Sequence, residues 1–259
     1  MIRREATREG LPVWLLIAQS EHASLASFLA CHWAEFPGLS SAAREQLLGA
    51  ILSHDNGWDA WELSPELDPK LGRPYQFTEM PGTTVLPIWT RSIEECETLG
   101  PVAGYAASGH FCALLEHHRA QLDAKSDQTA AEQFLKAESA RRERCRTKWQ
   151  GKQGDPQELA IAQSYLQSFD AISLWFCCAQ RAEALQIRVP IDGGPEYRFE
   201  SSAEEASRIA IAPWPLLESP VQLTAEANLV PATRYKSRSA YAGAPVEPTL
   251  LTWDLVRPG

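Results

Sequence analysis

The sequence has no long apolar run, no paired cysteine motif and no surplus of positive charge. Each absence excludes a class of function. The N-terminal stretch MIRREATREGLPVWLLIAQ carries charge, and its apolar run is only six residues, Val13 to Ala18. That is too short for the apolar core of a signal peptide or for the roughly 20 residues of a membrane span. A cytoplasmic protein with no membrane partner is therefore expected. The six cysteines, at 31, 96, 112, 145, 177 and 178, include no C-x-x-C pair. Such spacing suits neither a zinc ribbon nor a disulfide framework. Apolar settings such as FCALL and WFCCA read as buried, reduced thiols. With 24 Lys and Arg against 33 Asp and Glu, the formal net charge is −9. A nucleic-acid groove needs clustered cations, so no nucleic-acid partner is expected. The one basic cluster, RRERCRTK from Arg141 to Lys148, reads as a solvated helix face.

What is present is an ordinary globular composition, 44% hydrophobic and 22% charged over 259 residues. That length allows one large core with an appended subdomain. PVWLLIAQ reads as a short buried strand. Ser20 is the expected N-cap of a helix that runs to the Pro37-Gly38 break. SSAAREQLLGAILSHD reads as a second helix, capped by Ser40 or Ser41 and ending near Asn56-Gly57. From Gly57 to Gly100 the helical period disappears. Five prolines fall there with Trp58, Trp61, Phe77 and Trp89, which predicts an ordered loop folded over something, since disordered segments avoid aromatics. Pro101 opens a third helix. Gln128 to Gln150 is helical in propensity but so charged that it is expected to project or to pack lightly. A long apolar helix begins at Asp155-Pro156 and is expected to continue to Leu185. Beyond Gln186 a hairpin around Gly193-Gly194 and three further strands are expected, packed on the helices and joined by the strand at Val13 to Ala18.

Several polar residues stand where apolar ones belong. His22 shares a helix face with Ala26, Leu29 and Trp33. His54 and Asp55 end the second helix side by side. Adjacent helical residues point about 100° apart, so this pair is expected to serve a third party. Asp170 lies in YLQSFDAISLWFCC, where apolar residues cover nearly every helical direction. A buried, unpaired carboxylate is too costly to persist. It is either a structural acceptor for a neighbouring helix or a ligand. His110, in AASGHFCALL, is similarly placed and is either a satisfied core histidine or part of a site. His32 lies about 80° off the face of His22, and His117 and His118 have charged neighbours. Imidazole and carboxylate are ligand types for Zn, Mn, Fe or Ni, and a bound ion offsets the cost of burying the acids. One or two divalent transition-metal ions per chain are therefore expected, with a small-molecule substrate. Trp58, Asp59, Trp61 and Glu62, just past the His-Asp pair, are candidate residues of the substrate pocket.

The order of His22, His54-Asp55 and Asp170 resembles the HD-domain superfamily of metal-dependent phosphohydrolases. More narrowly, QSEHASLA, HDNGWDAWE, GRPYQF and LQSFDAISLWFC resemble the DUF3891 family over most of the chain. The resemblance implies a mainly α fold, an HD-like helical bundle. A short N-terminal strand and a small β-rich C-terminal segment would pack on it. The whole of 1–259 would form one HD-like domain, with a helical metal-site core at 12–185 and a β-rich extension at 186–259. It also implies His22, His54, Asp55 and Asp170 as metal ligands, with His110 binding a second metal or stabilising negative charge. Asp55 would both ligate and orient the attacking water, and the bond broken would be a phosphoester. Trp58, where many members place a polar residue, departs from the phosphate pattern. Two other readings stay open: a di-iron oxygenase of the HD fold that also recruits His117 or His118, and a non-catalytic module that binds a ligand or protein through the Trp-rich loop.

Overall fold

The computed structural model describes residues 1–118, 125–178, 184–189, 194–201 and 205–258. Strands β1 (Ile2–Arg8) and β2 (Leu11–Ile17) lead into helices α1 (Gln19–His32), α2 (Ser41–Ser53), α3 (Asp59–Glu62), α4 (Gly82–Leu99), α5 (Pro101–His118), α6 (Lys125–Gly151) and α7 (Gln157–Cys178). Then come β3 (Leu185–Arg188), β4 (Glu196–Ser201), β5 (Arg208–Ala212), β6 (Val221–Pro231), the short α8 (Arg238–Ala242) and β7 (Glu247–Val256). The seven strands form one sheet in the order β1-β2-β6-β7-β5-β4-β3. Only the β5–β7 pair is parallel.

This sheet corrects the expectation of a mainly α fold. The fold is mixed α/β, because strands from both ends of the chain pair into one layer. The join is β2 against β6, with Val13 opposite Pro231 and Leu16 opposite Asn228. β1 was hidden by its charge: IRREATR alternates weakly and reads as a polar leader. As an edge strand it needs little apolar surface, and charged side chains on an edge discourage pairing with other chains. It pairs with β2 from Ile2 opposite Ile17 to Arg8 opposite Leu11. The two-residue connection, Glu9-Gly10, has φ of 51° and 80°. Both residues are left-handed, as the twist of a tight hairpin requires. Helices and sheet share one core, in which Phe176 of α7 meets Trp253 of β7 at 5.4 Å between ring centroids and Phe199 of β4 at 6.3 Å.

Four local expectations also change. The N-cap of α1 is Ala18, without a side-chain cap, and not Ser20. By contrast, Ser40 caps α2 by accepting from the Ala43 N–H. The Gly57 to Gly100 stretch is not all loop, since its second half is α4, with Pro87 inside the helix. There, Val85, Leu86, Ile88, Ile93 and Cys96 are buried at helical spacing, and that stripe outweighs one lost backbone hydrogen bond. Helix α6 does not project: Ala131, Phe134, Glu138, Cys145 and Trp149 form a buried stripe. Its basic cluster is tied down by acids, with Arg141 paired to Glu97 and to Glu138, and Lys148 to Glu97. The expected continuation of α7 crosses residues 179–183, which lie outside the described residues, and Leu185 opens β3. Gly193 of the expected hairpin turn also lies outside them, while β3 and β4 pair antiparallel as a hairpin would.

The segment after α2 is pressed against α4 at Gly57. A Cβ at Gly57 would stand 2.2 Å from the Ile88 carbonyl oxygen. The Gly57 N–H donates to Ser92 Oγ at 3.0 Å. Backbone cannot rotate out of the way, so Gly57→Ala is expected to cost about 1–3 kcal/mol, read as a lowered midpoint in urea with an unchanged slope.

Candidate metal centre

Four helices deliver the polar residues to one point. His22 is in the first turn of α1, Asp170 is in the middle of α7, and His110 is on α5. His54 is the C-cap of α2, and there the chain leaves helical geometry. Asp55 has φ −110° and ψ 8° and starts a single 3-10 turn over Asn56–Trp58. This turn resolves the adjacency of His54 and Asp55. Outside the regular helix their side chains converge, with His54 Nε2 3.6 Å from Asp55 Oδ2. His22 Nε2 lies 3.3 Å from the same oxygen and 3.1 Å from Asp170 Oδ1, which is itself 3.3 Å from His54 Nε2. All four residues are buried.

The second ring nitrogens decide what these contacts are. His54 Nδ1 lies 2.8 Å from the Ile51 carbonyl oxygen, which can only accept, so Nδ1 carries a proton. Ser173 Oγ donates to the Asp170 carbonyl at 2.9 Å and therefore accepts from His22 Nδ1 at 2.7 Å. Both rings are thus held as Nδ1–H tautomers, and both Nε2 atoms point at carboxylate oxygens. Two lone pairs facing two anions inside an apolar core must share a cation, either protons on the imidazoles or a metal ion. His22, His54 and Asp170 each place a ligand atom within 4.8 Å of the others, and Asp55, outside that group, lies beside both rings. Two imidazoles with two carboxylates suit Zn, Mn, Fe or Ni, and the Nδ1 hydrogen bonds are the outer-shell support that metal-bound histidines use.

Without metal, protons do the work. Burial alone would push the His22 imidazole down, but its hydrogen bonds and proximity to Asp170 and Asp55 raise it to about 9. The His54 pKa is also raised, against burial, by Asp55 and Asp170. Burial opposes ionisation of both carboxyls. The neighbouring histidines nevertheless hold Asp55 below, and Asp170 well below, the ordinary carboxylate range. His110 is different. Its Nε2 is 3.9 Å from Asp170 Oδ2, its Nδ1 is buried without a partner, and burial pushes its pKa down.

The cluster forms the floor of a cavity of about 510 Å³, reached by His22, Asp55, His110 and Asp170. Its walls are largely aromatic and aliphatic, with Trp58, Phe77, Met80 and Val85 from the stretch expected to cover a site and Trp89 and Phe111 stacked at 5.1 Å. Gln19 also lines it. No sequence signal marked Gln19, and only its burial beside His22 does so. The other pocket candidates lie elsewhere. Trp61 packs on Trp58 at 5.7 Å. Asp59 is exposed, and Glu62 accepts from the Gln19 N–H and pairs with the Met1 amino group. His32 is half-buried and stacks on Phe28. His117 is exposed seven residues beyond His110, about 10 Å along the helix, and the side chain of His118 lies outside the described residues.

Two outcomes follow for the metal-free protein. The pKa of His22 is raised on folding, so its stabilising contribution is complete below pH about 6.5 and is lost as pH rises through about 9. A divalent ion must displace this proton. Adding Zn or Mn at pH 7 is therefore expected to release protons in a pH-stat, and the release should fade well above pH 9. Ser173→Ala, which frees the His22 ring, is expected to weaken metal affinity about 10–100-fold, measured by competition with a chelating dye.

The chain matches the family described as protein of unknown function DUF3891 over residues 1–232. No curated protein and no solved structure matches it. Nothing in these comparisons ties it to the HD superfamily, so that resemblance rests on the four-residue pattern alone. Among the described residues, no helix is long and apolar enough to cross a membrane. The chain belongs to the DUF3891 family.

Proposed function

We propose that this member of the DUF3891 family is a metal-dependent hydrolase of small molecules. One observation carries the reading: two imidazoles with fixed tautomers and two carboxylates converge beside a cavity that His22, Asp55 and Asp170 line. The order of His22, His54-Asp55 and Asp170 supports it by its likeness to HD hydrolases. A divalent ion held there would lower the pKa of a bound water towards about 7 and polarise the oxygen of the bond to be cleaved.

The chain's own residues supply the rest. His22, His54, Asp55 and Asp170 bind and orient. Asp55 also faces the cavity, and its carboxylate can accept a hydrogen bond from an attacking water. His110, kept neutral by burial, can take up a proton at Nε2 and return it to a leaving group, as general acid–base catalysis requires. The aromatic walls exclude competing water. The di-iron reading needs further ligands, and His117 is exposed about two turns beyond His110.

Elemental analysis of native protein and of His54→Ala tests the reading. About one transition-metal ion per chain is expected in the native protein, with little in the variant. Asp55→Ala is expected to fold and to lose more than about 100-fold in turnover on any substrate found, the scale at which general acid–base groups act. Native protein that binds no Mn, Fe or Zn, or an Asp55→Ala variant with unchanged turnover, would sink the assignment.

A further inference from the structure

We infer that the cavity over the metal cluster takes an uncharged ester or amide with a flat apolar body, and not a phosphate anion. The inference rests on the metal-centre reading and names the substrate class for it. Among the described residues lining the cavity there is no Lys or Arg. Its ionisable groups are His22, His110 and four carboxylates, Asp55, Asp170, Glu79 and Asp127. Asp55 and Asp170, as carboxylates, would balance the charge of one divalent ion. A phosphomonoester would bring up to two more negative charges to a cavity in which His110 alone among the described lining residues could pair them, and burying an unpaired charge is costly.

The carboxylates at the mouth do not turn the preference towards cations. Glu79 is paired with Arg3 and Arg73, and Asp127 accepts the Thr83 N–H at the start of α4. The unused hydrogen-bonding capacity is neutral. Gln19 Oε1 and Trp58 Nε1 belong to lining residues and are buried without partners, one an acceptor and the other a donor. An amide or ester group complements such a pair. Trp89, stacked on Phe111 with 24° between ring planes, offers a broad aromatic wall, and about 510 Å³ is within the range of small-ligand pockets.

The test compares two probes with the same ring, N-(1-naphthyl)acetamide and 1-naphthyl phosphate. They are titrated calorimetrically into metal-loaded protein whose metal content is measured on the same sample. The acetamide is expected to bind at least 10-fold more tightly. Trp89→Ala, which removes part of the wall and leaves His22, His54, Asp55 and Asp170 unchanged, should lower acetamide affinity at least 10-fold with metal content retained. Leu114→Arg, which places a cation in the wall, should narrow or reverse the preference. Equal or tighter binding of the phosphate by native protein overturns the inference, as does binding of neither probe. A protein without metal that still prefers the acetamide would refute the metal-centre reading and leave the cavity's preference standing.

Discussion

Everything at the centre of this protein turns on the meeting of two imidazole lone pairs with two carboxylates in an apolar core. Each group is expensive to bury alone. Together they are stable only around positive charge, because the Nδ1 protons of both rings are already committed to Ile51 and Ser173. Three helices and a turn are fixed relative to one another by this requirement: α1 and α2 carry the histidines, the turn after α2 carries Asp55, and α7 carries Asp170. Ser173 sits one turn beyond Asp170 and bonds both its backbone and His22. A single hydroxyl thus couples His22 to the helix that carries Asp170.

The surroundings are organised to keep that point dry and aimed outward. Gly57 lets the turn after Asp55 lie directly on α4, and this brings Trp58 into the wall of the cavity. Helix α4 in turn presents Val85 and Trp89. The same contact therefore both closes the cluster from beneath and shapes the space above it. Val85 and Trp89 give that space an apolar wall beside the buried imidazoles and carboxylates.

The sheet stands apart from this chemistry in the chain but not in the core. β1 and β2 precede all the helices, and five strands follow them, yet they hydrogen-bond into one layer. Aromatic residues on that layer, Phe199 and Trp253, pack against Phe176 of the helix that carries Asp170. The C-terminal strands are therefore a support for α7, and their packing helps to hold one ligand in place.

Local pattern was enough to identify His22, His54, Asp55, Asp170 and His110 as residues out of keeping with their apolar settings. It was also enough to place α2, α5 and most of α1 and α7, because helical period and capping act over a few residues. It misread α4, where Pro87 masked a buried stripe, and β1, where charge on an edge strand masked its pairing. Mutual distances, the tautomers set by Ile51 and Ser173, the exclusion of Asp59 and Glu62 from the cavity and the inclusion of Gln19 came only from tertiary structure. So did the register of β2 against β6 and the place of β1 at the edge of the sheet. Periodicity reports which side of an element is buried; it carries no information on which distant element covers it, and that choice is made by packing across the whole chain.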